Sequence, residues 1–303
     1  MKNLTKENLE SIVRQIISDS PYKIYDDFKI YGLAIAILRY YFGNEWTDQN
    51  ASAFFEKKVL SANRKGRIFL RTENPVAEDY FRHELRIFQL AELVFNLQNV
   101  DGIDERVTAI KKGDLEPTYG ELECAAQIMK ANLLFSFVKR SMGRGKDFDI
   151  VITPNSGTNI NCEMKVTTEE KDLSKNTILD KFKKARKQLP KERPGIIFLK
   201  IPESWAKQSN AETMLNESLS EFLRNTNRVV AIVLRWEELT VDINKPKSAI
   251  LKTLFRIEPN RRSKFYNLEI ENILQQIYRP SEQTWTRFRD IVKWVKVEDT
   301  RLK

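Results

Sequence analysis

Asp149, Glu163 and Lys165 are the residues of this chain whose types and spacing best suit chemistry. Asp149 closes the run Lys146-Asp147-Phe148-Asp149 and is followed by the apolar Ile150-Val151-Ile152. After Pro154-Asn155-Ser156-Gly157 comes Asn161-Cys162-Glu163-Met164-Lys165-Val166. Two carboxylates beside one lysine suit a hard divalent cation, which takes carboxylate oxygens, water and phosphate oxygens. A cation held there can lower the pKa of a bound water and polarise a phosphodiester, with the lysine orienting the water or offsetting developing charge. This is the minimum equipment for a magnesium site that cuts phosphodiester bonds.

Such residues act together only if the backbone presents them together. Strand side chains alternate between faces. In the first strand this rule puts Phe148, Ile150 and Ile152 on one face and Asp149, Val151 and Thr153 on the other. In the second it puts Ile160, Cys162, Met164 and Val166 opposite Asn161, Glu163 and Lys165. The Pro-Asn-Ser-Gly connection is hairpin chemistry. Asp149, Glu163 and Lys165 are therefore expected on one face of a β-hairpin. Asp147 has the parity of Asp149; Asp149 is preferred because the unbroken apolar strand starts directly after it.

The elements around the hairpin follow from periodicity. Leu122, Ala125, Ala126, Met129 and Leu133 form a helical stripe in a run that opens at Gly120 and reaches about Val138. Glu121 or Glu123 can present a further carboxylate early in that helix, with Glu121 preferred; acidic residues are also favoured there for the helix dipole alone. Downstream the spacing predicts a helix over 178–189, a buried strand over 195–201, a helix over 211–225 and a strand over 228–234. This succession reads as α/β.

The order helix with Glu, then Gly-x-Gly-Lys-Asp-Phe-Asp-Ile, then hydrophobic-x-Glu-x-Lys resembles the PD-(D/E)XK nuclease superfamily over about residues 116–235. The resemblance implies a restriction-endonuclease-like mixed β-sheet core flanked by helices. It implies Mg²⁺ as cofactor, with Mn²⁺ as a substitute. Asp149 and Glu163 would be metal ligands, the backbone carbonyl of Met164 a further one, and Lys165 the catalytic lysine. Phe148 stands where the family name has proline, a position that varies widely. The implied activity is hydrolysis of DNA in a prokaryotic restriction or phage-defence setting. The competing readings are an RNase and a non-catalytic nucleic-acid-binding or assembly subunit that keeps the fold.

Charge supports a polyanionic partner. The chain carries a net charge of +9. Residues 1–115 hold 17 Lys and Arg against 17 Asp and Glu, whereas residues 116–303 hold 34 against 25. The whole positive excess thus lies with the segment containing the acidic constellation, as phosphate-backbone binding favours. Lys181, Lys183, Lys184, Arg186 and Lys187 are expected on the solvent side of the 178–189 helix as a phosphate track. Arg144 and Lys146, beside Gly143 and Gly145, can grip a backbone from a turn. Gln188 is a candidate for orienting the lysine or a phosphate.

Residues 1–115 read as a mainly helical N-terminal domain for sensing, dimerisation or partner binding, with helices over 9–18, 26–42, 49–60 and 78–97. Residues 116–303 form the second domain, with a C-terminal extension from about 236. In that extension 248–257 reads as helix or strand, and 284–295 as a helix with Trp285, Phe288, Ile291, Val292 and Val295 at helical spacing. The two cysteines, Cys124 and Cys162, read as small buried hydrophobes. His83 reads as a structural histidine in a helix. A membrane span is not expected, since no run of about 18 apolar residues occurs, and the N-terminus lacks a signal-peptide pattern. A cytoplasmic location and a homodimer or partner subunit are the matching expectations.

Overall fold

A computed structural model describes residues 3–20, 25–52, 77–139, 148–155, 157–167, 172–241, 249–281 and 283–301. They divide into two compact units. One comprises residues 1–99, 103–115 and 285–303, and the other residues 100–102 and 116–284.

The first unit is helical: α1 (Lys6–Ser18), α2 (Asp26–Phe42), α3 (Asn44–Thr47) with a π-helical turn (Asp48–Ser52), α4 (Ala77–Leu97), α5 (Ile103–Lys111) and α11 (Phe288–Arg301). A capping box at Thr5 starts α1, and Gly43, at φ 90°, ends α2. Of the expected 49–60 helix, residues 49–52 belong to the π-helical turn, and the rest lies outside the described residues. The C-terminal helix belongs to this unit and not to an extension of the second. Phe288, Ile291, Val292 and Val295 are all buried. Glu92 of α4 accepts the Phe288 N–H at 2.8 Å, and Asn96 brackets Thr286 with two hydrogen bonds. His83 is buried with Nε2 3.2 Å from the Ala51 carbonyl, a structural placement.

The second unit is α/β. Its six-stranded mixed open sheet has the order β1 (Phe135–Phe137), β2 (Ile150–Ile152), β3 (Ile160–Val166), β4 (Gly195–Lys200), β5 (Val229–Val241), β6 (Ala249–Pro259). β3, β4 and β5 run parallel; β1, β2 and β6 are antiparallel to their neighbours. The helices are α6 (Leu115–Lys130), α7 (Lys175–Gln188), α8 (Glu203–Ala206), α9 (Ala211–Arg224) and α10 (Leu268–Tyr278). The crossovers β3–α7–β4 and β4–α9–β5 join parallel neighbours in one direction, so right-handed connection puts both helices on one face. There Phe182, Ala185, Leu219 and Phe222 pack on Ile197, Leu199, Ile232 and Leu234. α6 takes the opposite face. A Cβ on Gly120 would lie 2.4 Å from Val166 Cγ2, so only glycine lets the helix approach β3 this closely.

Two sequence expectations change here. The helix expected from Gly120 already starts at Leu115, which puts Glu121 and Glu123 in its middle rather than its first turn, and it stops at Lys130 rather than near Val138, because Asn132 takes the left-handed conformation (φ 57°) and Phe135–Phe137 pairs with β2. Residues 236–241 and 249–259 are integral to the sheet rather than an appended extension, since β5 continues to Val241 and pairs with β6 from Ala231 onward. Among the described residues no helix is long and apolar enough to cross a membrane.

Candidate active site on strands β2 and β3

β3 places Asn161, Glu163 and Lys165 on the α7 face, in register with Gly195, Ile197 and Leu199 of β4. Asp149 does not reach them by simple alternation. Ile150 pairs with Cys162, yet the Asp149 N–H also donates to the Cys162 carbonyl at 3.0 Å. Two residues of one strand thus meet a single residue of the next, the arrangement of a bulge, which re-aims side chains. Phe148 accordingly packs against the α7–α9 core while Ile150 is buried on the other side of the sheet. The expectation that Phe148 shares a face with Ile150, and that parity alone aligns Asp149 with Glu163, is corrected on this point.

What brings Asp149 to β3 is a side-chain bond: its Oδ2 accepts the Met164 N–H at 2.6 Å. Along a strand, N–H and C=O groups of alternate residues point to opposite neighbours. Asn161 and Thr167 donate toward β4, so Met164 presents its N–H and carbonyl on the β2 side, just past the last β2 pair. The Met164 carbonyl and the Asp149 carboxylate therefore occupy the same strand gap.

Glu163 is fully buried. Its Oε1 accepts from Lys165 Nζ, which also donates to Gln188 Oε1 at 2.5 Å. Gln188 is the last residue of α7, so the crossover helix holds the lysine against the glutamate. The other oxygen, Oε2, is buried with no hydrogen-bond partner among the described residues. Burial, reinforced by the nearby Asp149 charge, pushes the Glu163 carboxyl up to about 9; the Lys165 ammonium opposes this without cancelling it, and Glu121 adds a further upward push.

Glu121 and Glu123, both in the middle of α6, part company. Glu123 is committed to a buried ionic network, with Lys200 Nζ and Arg235 Nη2 each 2.8 Å from its carboxylate and Glu237 closing the set at 3.1 Å from Lys200. Glu121 is buried, and its charge is felt at Glu163. Sequence reasoning misses this network, because it joins residues far apart in the chain. Cys124 and Cys162 are buried free thiols, both pushed upward by burial.

The basic helix is only partly a free surface. Lys183, Lys184 and Lys187 are exposed. Lys181 instead donates to the Val166 carbonyl at 2.7 Å. Arg186 donates to the Asn225 carbonyl at 2.8 Å and lies over the Phe222 ring, tying α7 to α9. Arg144, Lys146 and Asp147 lie outside the described residues. An open depression of about 600 Å³ beside the β2–β3 turn and α10, lined in part by Leu134, Pro154 and Leu268, contains none of Asp149, Glu163 or Lys165.

Among the described residues no three His, Cys, Asp or Glu side chains gather as a ready-made metal cage. Comparison with family models, with curated proteins and with solved structures finds no match for this chain.

Proposed function

We propose that the chain is a Mg²⁺-dependent nuclease with a restriction-endonuclease-like core, hydrolysing DNA phosphodiester bonds at Asp149, Glu163 and Lys165. The observation that carries this reading is the buried Glu163 carboxylate with an unpartnered oxygen. A buried carboxylate without a full set of partners is costly. A lysine on one oxygen and a cation taken up by the other would be a chemically sensible reason to keep it. Mg²⁺ holds on to several waters and needs only one or two protein carboxylates plus substrate phosphate. Asp149, Glu163 and the Met164 carbonyl therefore suit this ion's donor preference without a three-carboxylate cage, and Glu121 is the acid of α6 whose charge acts on Glu163.

When bound, the ion supplies charge neutralisation at the phosphate and acidifies a coordinated water. The chain's own residues do the rest. Asp149, fixed by the Met164 N–H, and Glu163, fixed by the sheet on one side and Lys165 on the other, set where the phosphate sits. Lys165 is positioned by Gln188 to donate to a phosphate oxygen or to the attacking water. Lys183, Lys184 and Lys187 offer exposed positive charge for the flanking backbone, and DNA is the polyanion proposed for them.

The test is cleavage of plasmid, single-stranded DNA and RNA with Mg²⁺ or EDTA, by the wild type and by Glu163→Ala and Lys165→Ala. Mg²⁺-dependent cutting of DNA that Glu163→Ala abolishes and Lys165→Ala lowers by about 10²–10³ is expected. Cleavage retained in Glu163→Ala would place the chemistry elsewhere, and cleavage of RNA alone would reassign the substrate.

A further inference from the structure

We infer that the chain forms a two-fold symmetric dimer through the open edge of β6, joining two sheets into one continuous sheet. β6 closes the sheet on one side and pairs only with β5 among the described residues. The other edge strand, β1, has three residues, whereas β6 has eleven. A long unpaired edge is a template for strand addition unless it is short, bulged or covered. The β5–β6 register is continuous from Ala231↔Pro259 to Val241↔Ala249. Leu251, Leu254, Phe255 and Ile257 are all only partly buried, and Ile250 is exposed.

The directions of the backbone groups are fixed by two hydrogen bonds. Asn260 N–H donates to the Val230 carbonyl at 2.8 Å, so even-numbered residues of β6 face β5. The Arg235 carbonyl accepts from Ile201 N–H, which independently turns the odd residues of β5 toward β4 and its even residues toward β6. The N–H groups of Leu251, Thr253, Phe255 and Ile257 therefore point outward.

The charges favour self-pairing in one register over its two immediate neighbours, with Glu258 also held by Arg256 at 3.1 Å within the strand. In an antiparallel self-pairing centred on Phe255, Thr253 meets Ile257 of the second copy and Leu251 meets Pro259 of the second copy. All of these are outward-facing positions. On the α7 face the same register sets Lys252 opposite Glu258 of the second copy, twice by symmetry. Centring on Leu254 would set Lys252 against Arg256, and centring on Arg256 would set that residue against itself. Opposite charges directly across a strand pair stabilise it and like charges destabilise it, so the Phe255-centred register is favoured over both neighbours. A second copy of this chain is thus the partner whose pattern the edge complements.

The test is the oligomeric state of the full chain by sedimentation velocity, which does not depend on nuclease activity. A concentration-dependent dimer is expected. Thr253→Pro removes an outward N–H without touching the β5 ladder, as edge positions permit, and should give a folded monomer with an unchanged far-ultraviolet spectrum. Lys252→Glu and Glu258→Lys should each weaken the dimer at least about tenfold, roughly 1.4 kcal/mol, and the double charge swap should restore it. A wild type that stays monomeric up to its solubility limit overturns the inference, as does a folded Thr253→Pro variant that still dimerises. If Thr253→Pro does not fold, the charge swap decides: restoration supports the β6 interface and its absence refutes it.

Discussion

Glu163→Gln separates the cost of the buried carboxylate from its use. In the metal-free protein the Glu163 carboxyl is pushed from 4.5 up to about 9, chiefly by burial and then by Asp149. The folded state thus holds a proton that the unfolded chain has released, over the window from about pH 4.5 to about 9. A folded state that binds more protons loses stability as pH rises. The loss is at most about 1.4 kcal/mol per pH unit inside that window, so moving from pH 6 to pH 8 should destabilise the wild type by roughly 2–3 kcal/mol through this one group. Glutamine has the shape of the protonated acid and still offers an oxygen to Lys165, but it does not titrate. Urea unfolding at pH 6, 7 and 8 should therefore show a falling stability for the wild type and a flatter profile for Glu163→Gln.

Mg²⁺ sharpens the same experiment. The ion must replace the Glu163 proton, so its apparent affinity should rise by up to about tenfold per pH unit below about pH 9. Added Mg²⁺ should stabilise the wild type more at pH 8 than at pH 6, and Glu163→Gln little at either. Equal stabilisation of both proteins by Mg²⁺, or parallel pH profiles without it, would refute the assignment of the buried carboxylate as a ligand held at a cost.

Other substitutions test the supporting parts. Lys165→Ala should lower the cleavage rate by about 10²–10³ with the fold retained in circular dichroism. Replacing Lys183, Lys184 and Lys187 together by alanine should weaken DNA binding and make its logarithmic salt slope shallower by up to about 0.9 for each phosphate no longer neutralised, with little change in Tm. Arg186→Ala should instead destabilise the protein by about 1–2 kcal/mol, because that side chain bonds the Asn225 carbonyl and covers Phe222. Gly120→Ala should cost about 1–3 kcal/mol in urea unfolding and reduce cleavage too, since the added Cβ forces α6 and Glu121 away from β3.

What the sequence made legible was whatever depends on local period. Glu163 and Lys165 share a face because they are two apart on one strand, and β4 and α9 follow from uninterrupted apolar patterns. What stayed hidden depends on partners distant in the chain. Asp149 meets β3 through an irregularity that exists only once β2 and β3 are paired, so alternation named the right neighbour for an incomplete reason. Lys181 and Arg186 sit in a basic run that looks uniform, yet their long side chains turn back to Val166 and Asn225, which only tertiary packing supplies. The preference for Glu121 over Glu123 could not be argued from two acids in one helical turn. It becomes arguable once Lys200 and Arg235, one from each of two parallel strands, are seen to converge on Glu123. That network also gives α6 a fixed rotation and depth on the sheet, with Gly120 pressed on Val166 one residue before Glu121. The position of Glu121 is therefore a consequence of residues outside the constellation, Lys200, Arg235 and Gly120 among them, which is why no reading confined to the constellation itself could have placed it.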